Sequence, residues 1–165
     1  MPECIIRRMT MDDLDDVARI EEATFTPPWS RSDFEGELTR NAAARYLVAE
    51  VDGIVIGFAG TWIIIDESRV TNIAIDESMR GNGYGRAITS ALVQYAANLG
   101  AIVMTLEVRV SNAPAIALYR SLGFKRVNEI KKHYSDGESA WLMLLDHMPP
   151  ADPDFEEEET LHEEA

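Results

Sequence analysis

The sequence predicts an α/β domain built on a mixed β-sheet with helices on both faces. Three observations carry this expectation. Two β-rich runs, 45–51 and 54–66, meet at Asp52-Gly53, a pair that favours a tight hairpin turn, so part of the sheet is antiparallel. The second half alternates strand-like and helix-like segments, and that alternation requires a crossover and at least one parallel pair. The length of 165 residues, 46% hydrophobic and 27% charged, suits one core with a solvated surface.

The elements follow in order. Residues 4–8 form a short first strand. Thr10 and Asp13 have the spacing of a capping box, opening an acidic amphipathic helix with Leu14, Val17 and Ile20 inward. Phe25-Thr26-Pro27-Pro28-Trp29-Ser30 breaks that helix, and Ser30 caps a second one reaching about Arg40, with Phe34 and Leu38 four apart. A further strand covers 69–75. After a glycine cluster, Ile88, Ala91, Leu92, Tyr95, Ala96 and Leu99 recur at helical spacing until Gly100. Residues 102–108 read as a mostly apolar strand. Asn112 and Pro114 then start a helix with Ala115, Leu118, Tyr119 and Leu122 on one face, closed by Gly123. Two last strands, near 124–130 and 139–145, flank an Asp136-Gly137 turn.

The net charge of −14 is unevenly spread. From Pro149 onward there are eight acidic residues and no Lys or Arg, whereas residues 1–148 carry 21 acids against 15 bases. The domain is therefore expected over 1–148, with 149–165 a disordered acidic tail that either aids solubility or contacts something basic. Such a charge repels phosphates, so no nucleic-acid partner is expected. The longest apolar run, 54–65, has twelve residues, short of the ~20 of a membrane span. The first residues also lack a signal peptide's apolar stretch. The expectation is a cytoplasmic protein, a monomer or weak dimer, without a membrane partner. The single cysteine, Cys4, excludes an internal disulfide and a Cys-rich zinc site, and His147 and His162 match no metal or triad spacing. No metal is expected, and no Gly-x-Ser-x-Gly elbow is present.

Arg80-Gly81-Asn82-Gly83-Tyr84-Gly85-Arg86 lies directly between a strand and a helix. Glycines there let the backbone approach a ligand, and the helix N-terminus favours a phosphate or pyrophosphate. A dinucleotide fingerprint from Gly81 would need glycine where Arg86 stands, and no Gly-Lys pair exists for a P-loop. A tight turn using glycine for positive φ is the simpler alternative.

This stretch resembles the Arg/Gln-x-x-Gly-x-Gly/Ala loop of the GNAT N-acetyltransferases, which bind acetyl-coenzyme A. Its surroundings sharpen the likeness. Thr71 to Ile75, Leu106 to Asn112, and Ala115 to Phe124 together resemble the RimI-type protein N-terminal acetyltransferases, as do Phe25 to Ser30 and His133 to Glu138. The match covers about residues 4–146. It implies the GNAT fold, with a splayed parallel strand pair, and acetyl-coenzyme A as cosubstrate.

Individual residues carry two readings each. Glu107 is a carboxylate in an apolar strand. Either the Thr105, Glu107, Arg109 face is simply wet, or Glu107 is a general base at an opening in the sheet. The resemblance places the catalytic base there. Tyr119 reads as core packing or, by resemblance, as the general acid that protonates the leaving thiolate. Asn112 is the expected helix cap, and the resemblance adds a cofactor contact. Ile73, Ala74 and Ile75 look like plain core strand, but in the family the matching main chain binds the pantetheine arm. Trp29, with Pro27 and Pro28, is a clamp between helices or a border of the peptide-substrate groove. Tyr134 resembles one of the paired tyrosines that hold the substrate backbone. The first of that pair is His133 here, a departure that reads as an exposed loop histidine sooner than as a second base.

The function implied is transfer of acetyl to a protein N-terminal α-amino group, by direct attack and without a covalent enzyme intermediate. The type member's target would make this the N-terminal alanine of a ribosomal protein. The alternatives are a GNAT enzyme acting on lysine or a small-molecule amine, and a non-catalytic acetyl-coenzyme A-binding module. The presence of both Glu107 and Tyr119 counts against the last.

Overall fold

Seven strands pair in the order β1-β2-β3-β4-β5-β7-β6. They are β1 (Cys4–Arg8), β2 (Ala44–Val51), β3 (Ile54–Ile64), β4 (Glu67–Ile75), β5 (Val103–Arg109), β6 (Lys125–Ile130) and β7 (Ala140–Leu145). Four helices complete the fold: α1 (Leu14–Thr24), α2 (Arg31–Thr39), α3 (Tyr84–Asn98) and α4 (Ala113–Ser121). This computed structural model describes residues 3–157. Every pairing is antiparallel except β4 with β5.

Local chemistry sets the boundaries. Asp52 and Gly53 both take positive φ, 53° and 78°, the twist that matches a two-residue hairpin. β3 ends two residues before the predicted Asp66, because Ile64 already pairs with Glu67 and Ile65 turns the chain at φ 59°. α2 has a reciprocal cap: the Asp33 N–H donates to Ser30 Oγ at 3.1 Å, and the Ser30 N–H donates to Asp33 at 2.8 Å. Asp13 accepts from the Thr10 N–H at 2.8 Å, as the capping spacing predicts, and Arg7 pairs with both of its oxygens. Asn112 Oδ1 accepts from the Ala115 N–H at the start of α4.

The sheet buries both faces. Leu14, Val17 and Ile20 of α1 and Phe34 of α2 pack with Tyr46, Val48, Phe58 and Ala74 on one side. On the other, Ile88, Leu92 and Ala96 of α3 pack with Leu47, Ala59, Met104, Leu106 and Met143, joined by Ile116 and Tyr119 of α4. These are the two helical layers that the apolar periodicities predict.

The parallel pair opens. β4 and β5 are in register only over Glu67–Arg69 with Val103–Thr105. One irregularity coincides with the opening: Val70 faces Thr61 and Asn72 faces Gly60, leaving Thr71 as an extra residue in β4. A bulge of this kind bends and twists its strand, and here it turns 70–75 away from β5.

The acidic segment departs from its prediction. Up to Glu157 it lies against the domain instead of hanging free. Phe155 packs on Tyr95 with ring centroids 5.9 Å apart, Gln94 donates to the Pro150 carbonyl, and Asn98 Oδ1 accepts from the Asp152 N–H. Glu157 pairs with Arg45 and accepts from the Tyr95 hydroxyl. The remainder of the predicted tail, 158–165, lies outside the described residues.

Candidate active site

The opening between β4 and β5 concentrates the groups that the sequence singled out. Alternate residues of a strand face opposite sides. Met104, Leu106 and Val108 point into the α3 core, so Glu107 projects from the other face, the side of α1 and α2. Tyr119 arrives from α4 on the α3 side. Glu107 and Tyr119 thus lie on opposite faces of the sheet.

Glu107 is half-buried, not wet. Arg69 Nη2 stands 3.1 Å from its Oε1 and His133 Nε2 stands 2.5 Å from its Oε2. Arg69 closes the last paired step of β4, and His133 belongs to the β6–β7 loop. Burial, and secondarily the neighbouring Tyr134, push the Tyr119 phenol up to about 12. Among the described residues no hydrogen bond occupies its hydroxyl, and its ring packs edge-on to Phe124 at 5.9 Å. Tyr134 lies under the Arg109 guanidinium, 4.0 Å from its centroid. Burial and then the Glu107 charge raise the Tyr134 phenol. Arg109 is itself held by Asp136 and Glu138.

Trp29 serves first as the clamp. Its ring meets Phe34 at 5.5 Å and its backbone N–H donates to Glu21 at 3.0 Å. Glu21 in turn accepts from Asn72 on β4 at 3.0 Å, so the α1–α2 loop is tied to the strand that opens, on the same face as Glu107.

The residues suited to acetyl-coenzyme A fit that group in two respects. Beyond Arg69, among the described residues, β4 has no strand on its β5 side, so alternate main-chain groups of Ile73, Ala74 and Ile75 face the gap like an unfilled sheet edge. The next turn rises into α3 through Gly81 and Gly83, at φ 81° and 82°, with amides directed outward at a helix N-terminus. Neither glycine has any atom within 4 Å of where a Cβ would stand, so the space beside the turn is open. Arg80 is spent partly on the Ile75 carbonyl at 3.0 Å, Asn82 bonds back to Met79, and Arg86 bonds Ser121. The Tyr84 side chain is buried in the core at 7% exposure, so it is the backbone of this residue that the turn presents. Gly85 makes only ordinary contacts. Asn112 caps α4, as expected.

The residues matched by the acetyltransferase (GNAT) family model run from 14 to 124. The chain belongs to the GNAT family. It is 36% identical over 145 residues to the ribosomal protein bS18-alanine N-acetyltransferase of Escherichia coli, covering 85% of this chain and 95% of that one. A Bacillus subtilis protein that carries the same name provisionally is 40% identical over 141 residues, covering 85% and 93%. The crystal structure of the Escherichia coli ribosomal-protein-S18-alanine N-acetyltransferase superposes with a TM-score of 0.79 at 32% identity, over 93% of this chain and 99% of that chain. The splayed pair expected of a GNAT fold is the β4–β5 opening.

Sequence reasoning missed the pairing of His133 with Glu107. The only signal was the departure at His133 itself, where the resemblance implies tyrosine. A cavity of about 670 Å³ lies elsewhere, between α3, β1 and Phe155, and shares no residue with this cluster.

Proposed function

We infer that this GNAT acetyltransferase transfers acetyl from acetyl-coenzyme A to the N-terminal α-amino group of a protein, with alanine first and a ribosomal protein as the natural class of target. The observation that carries the reading is the placement of Glu107 and Tyr119 on opposite faces of the sheet, in a chain whose relatives are named for this reaction.

Acetyl-coenzyme A would supply the activated acetyl thioester. Ile73, Ala74 and Ile75 would hold its arm through main-chain atoms. The loop Arg80 to Arg86 would hold its pyrophosphate, and Asn112 would add a contact from the start of α4. An α-amine is mostly ammonium at neutral pH, with a pKa of ~8, and must lose a proton before it attacks. Glu107 supplies the negative charge that draws that proton off, directly or through water. Tyr119 keeps its proton throughout the neutral range, because burial holds it at about 12, and it donates toward the leaving sulfur. Trp29 and Tyr134 stand on the two loops that wall the Glu107 face and would border the substrate's first residues.

Mass spectrometry of peptides incubated with acetyl-coenzyme A tests the reading. Peptides beginning Ala, Ser, Met and Gly are compared with one whose N-terminus is blocked and whose lysine is free. The expected product is α-amine acetylation, strongest on Ala and slowed about 10²-fold in Glu107→Gln. Modification of the lysine peptide alone would overturn it.

A further inference from the structure

Glu107 has neither oxygen free. Arg69 stands 3.1 Å from Oε1 and His133 2.5 Å from Oε2, so a basic side chain already stands against each oxygen that an incoming ammonium would have to reach. A carboxylate is also poorly matched to an ammonium group. Glutamic acid is ordinarily about 3.5 pKa units more acidic than an α-ammonium, an imidazolium only about 1.5.

The β6–β7 loop brings an imidazole to this point. His133 meets Glu107 through Nε2, so a neutral ring with its proton on Nε2 would face the carboxylate and keep a lone pair on Nδ1. Among the described residues Nδ1 has no hydrogen-bond partner. The ring is steadied edge-on against Tyr134, centroids 4.8 Å apart and planes at 79°. With 31% of the side chain exposed, the ring is accessible to solvent.

We propose that His133, in place of Glu107 itself or a water, is the group that first accepts the substrate's proton, with Glu107 as the residue that orients it and balances its charge. This rests on the α-amine reading above. One N–H bond of the ammonium breaks as the Nδ1–H bond forms. The amine keeps the electron pair it needs for attack, and the imidazolium stays paired with the Glu107 carboxylate until the proton passes to solvent. The other charged or titratable groups around the ring are Arg69 from β4, Arg109 from β5, Tyr134, Asp136 and Glu138 of the loop, and Tyr119 of α4 through Tyr134. Asp136 and Glu138 are committed to Arg109, which leaves Glu107 as the anion serving the imidazole.

The test uses the full-length enzyme, acetyl-coenzyme A and an Ala-initiated peptide, with kcat measured between about pH 5 and 8, where imidazoles titrate. Wild type should lose kcat on the acid side as protons occupy Nδ1. His133→Gln should lower kcat about 10²-fold at the alkaline end and flatten that acid limb. Glu107→Gln should be slow but retain a limb. His133→Tyr restores the tyrosine that the resemblance implies. It should remain as slow as His133→Gln if the imidazole is the base, whereas recovery of wild-type kcat would mean that position 133 only holds substrate. Imidazole ¹⁵N spectra of the enzyme alone give an independent readout. His133 should carry its proton on Nε2, and Glu107→Gln should abolish that preference. An unchanged acid limb in His133→Gln overturns the dyad alone, since the enzyme would still acetylate the peptide. A wild type inactive on every α-amine peptide overturns the reading beneath it as well.

Discussion

Burial pushes the Tyr119 phenol up to about 12, whereas the Glu107 carboxylate stands between two basic side chains, Arg69 and His133. Tyr119 is the clearer case because no hydrogen bond within the described residues uses its hydroxyl. Tyr119→Phe removes one oxygen and leaves the packing on Phe124 in place. The expected outcome is a fall in kcat of about 10²-fold, with an unfolding temperature indistinguishable from wild type. An equal loss of stability would make the tyrosine a core residue. The sign of the pH effect follows from the direction of its shift. Because the folded phenol titrates above the ordinary 10.0, at about 12, the neutral form is favoured by folding. That contribution is complete below pH 10.0 and is lost as pH rises toward about 12. Tyr95 is raised to about 12 by its own burial and adds in the same window. Alkaline denaturation should therefore set in above pH 10, and Tyr119→Phe should lessen its steepness in pH-dependent unfolding.

At the scale of elements, the feature to explain is why β4 leaves β5 where it does. The bulged Thr71 is fixed by a chain of hydrogen bonds crossing the α1–α2 core. Tyr46 bridges Glu37 and Thr71, at 3.0 and 2.9 Å. Thr71 donates to Asn72 at 2.7 Å, and Asn72 donates to Glu21 at 3.0 Å. Glu21 is 2% exposed, and burial raises its carboxyl despite the donors from Trp29 and Asn72. Removing a donor from such a group leaves it short of a partner in a dry site. Asn72→Ala should cost about 1–3 kcal/mol in denaturant unfolding. If the network fixes the strand's bend, the KM for acetyl-coenzyme A should rise several-fold while kcat at saturation changes little. Stability lost with an unmoved KM would show that the bulge stands without Asn72. This layer was barely legible in the sequence. The strands, helices and glycine turn show themselves through periods of 2 and 3.6 and through positive-φ residues, all local signals. The Thr71 bulge depends on Tyr46 and Glu21, and the His133–Glu107 pair joins residues on separate strand–loop units. No local pattern encodes either.

The whole molecule carries a second, separate surface, where the acidic segment returns to the domain. Composition alone favours disorder for a Pro-rich acidic run, but Phe155 and the Arg45–Glu157 pair give this stretch something to bury and something to neutralise. The side chains of that pair are only 15% and 24% exposed, so salt screens it less than a surface bridge. The contact falls on Gln94, Tyr95 and Asn98 near the end of α3, whereas the glycine turn sits at its start. At 1.5 Å per residue, Tyr84 and Tyr95 are roughly 16 Å apart along the helix. The segment should accordingly support stability without touching chemistry. Phe155→Ala, losing a half-buried ring, should cost about 1–2 kcal/mol, or a melting temperature lower by about 2–8 °C for a chain of this size. Deleting residues 150–165 should cost more, through loss of the Arg45 and Tyr95 partners. In both variants kcat and KM at a temperature where the domain remains folded should match wild type. Faster turnover after the deletion would instead make the segment an inhibitory contact. That would require α3 to transmit strain from its last turns to Gly83, along a helix whose Ile88, Leu92 and Ala96 are fully packed. A rigid, well-packed helix transmits position better than release, so unchanged kinetics is the expected result.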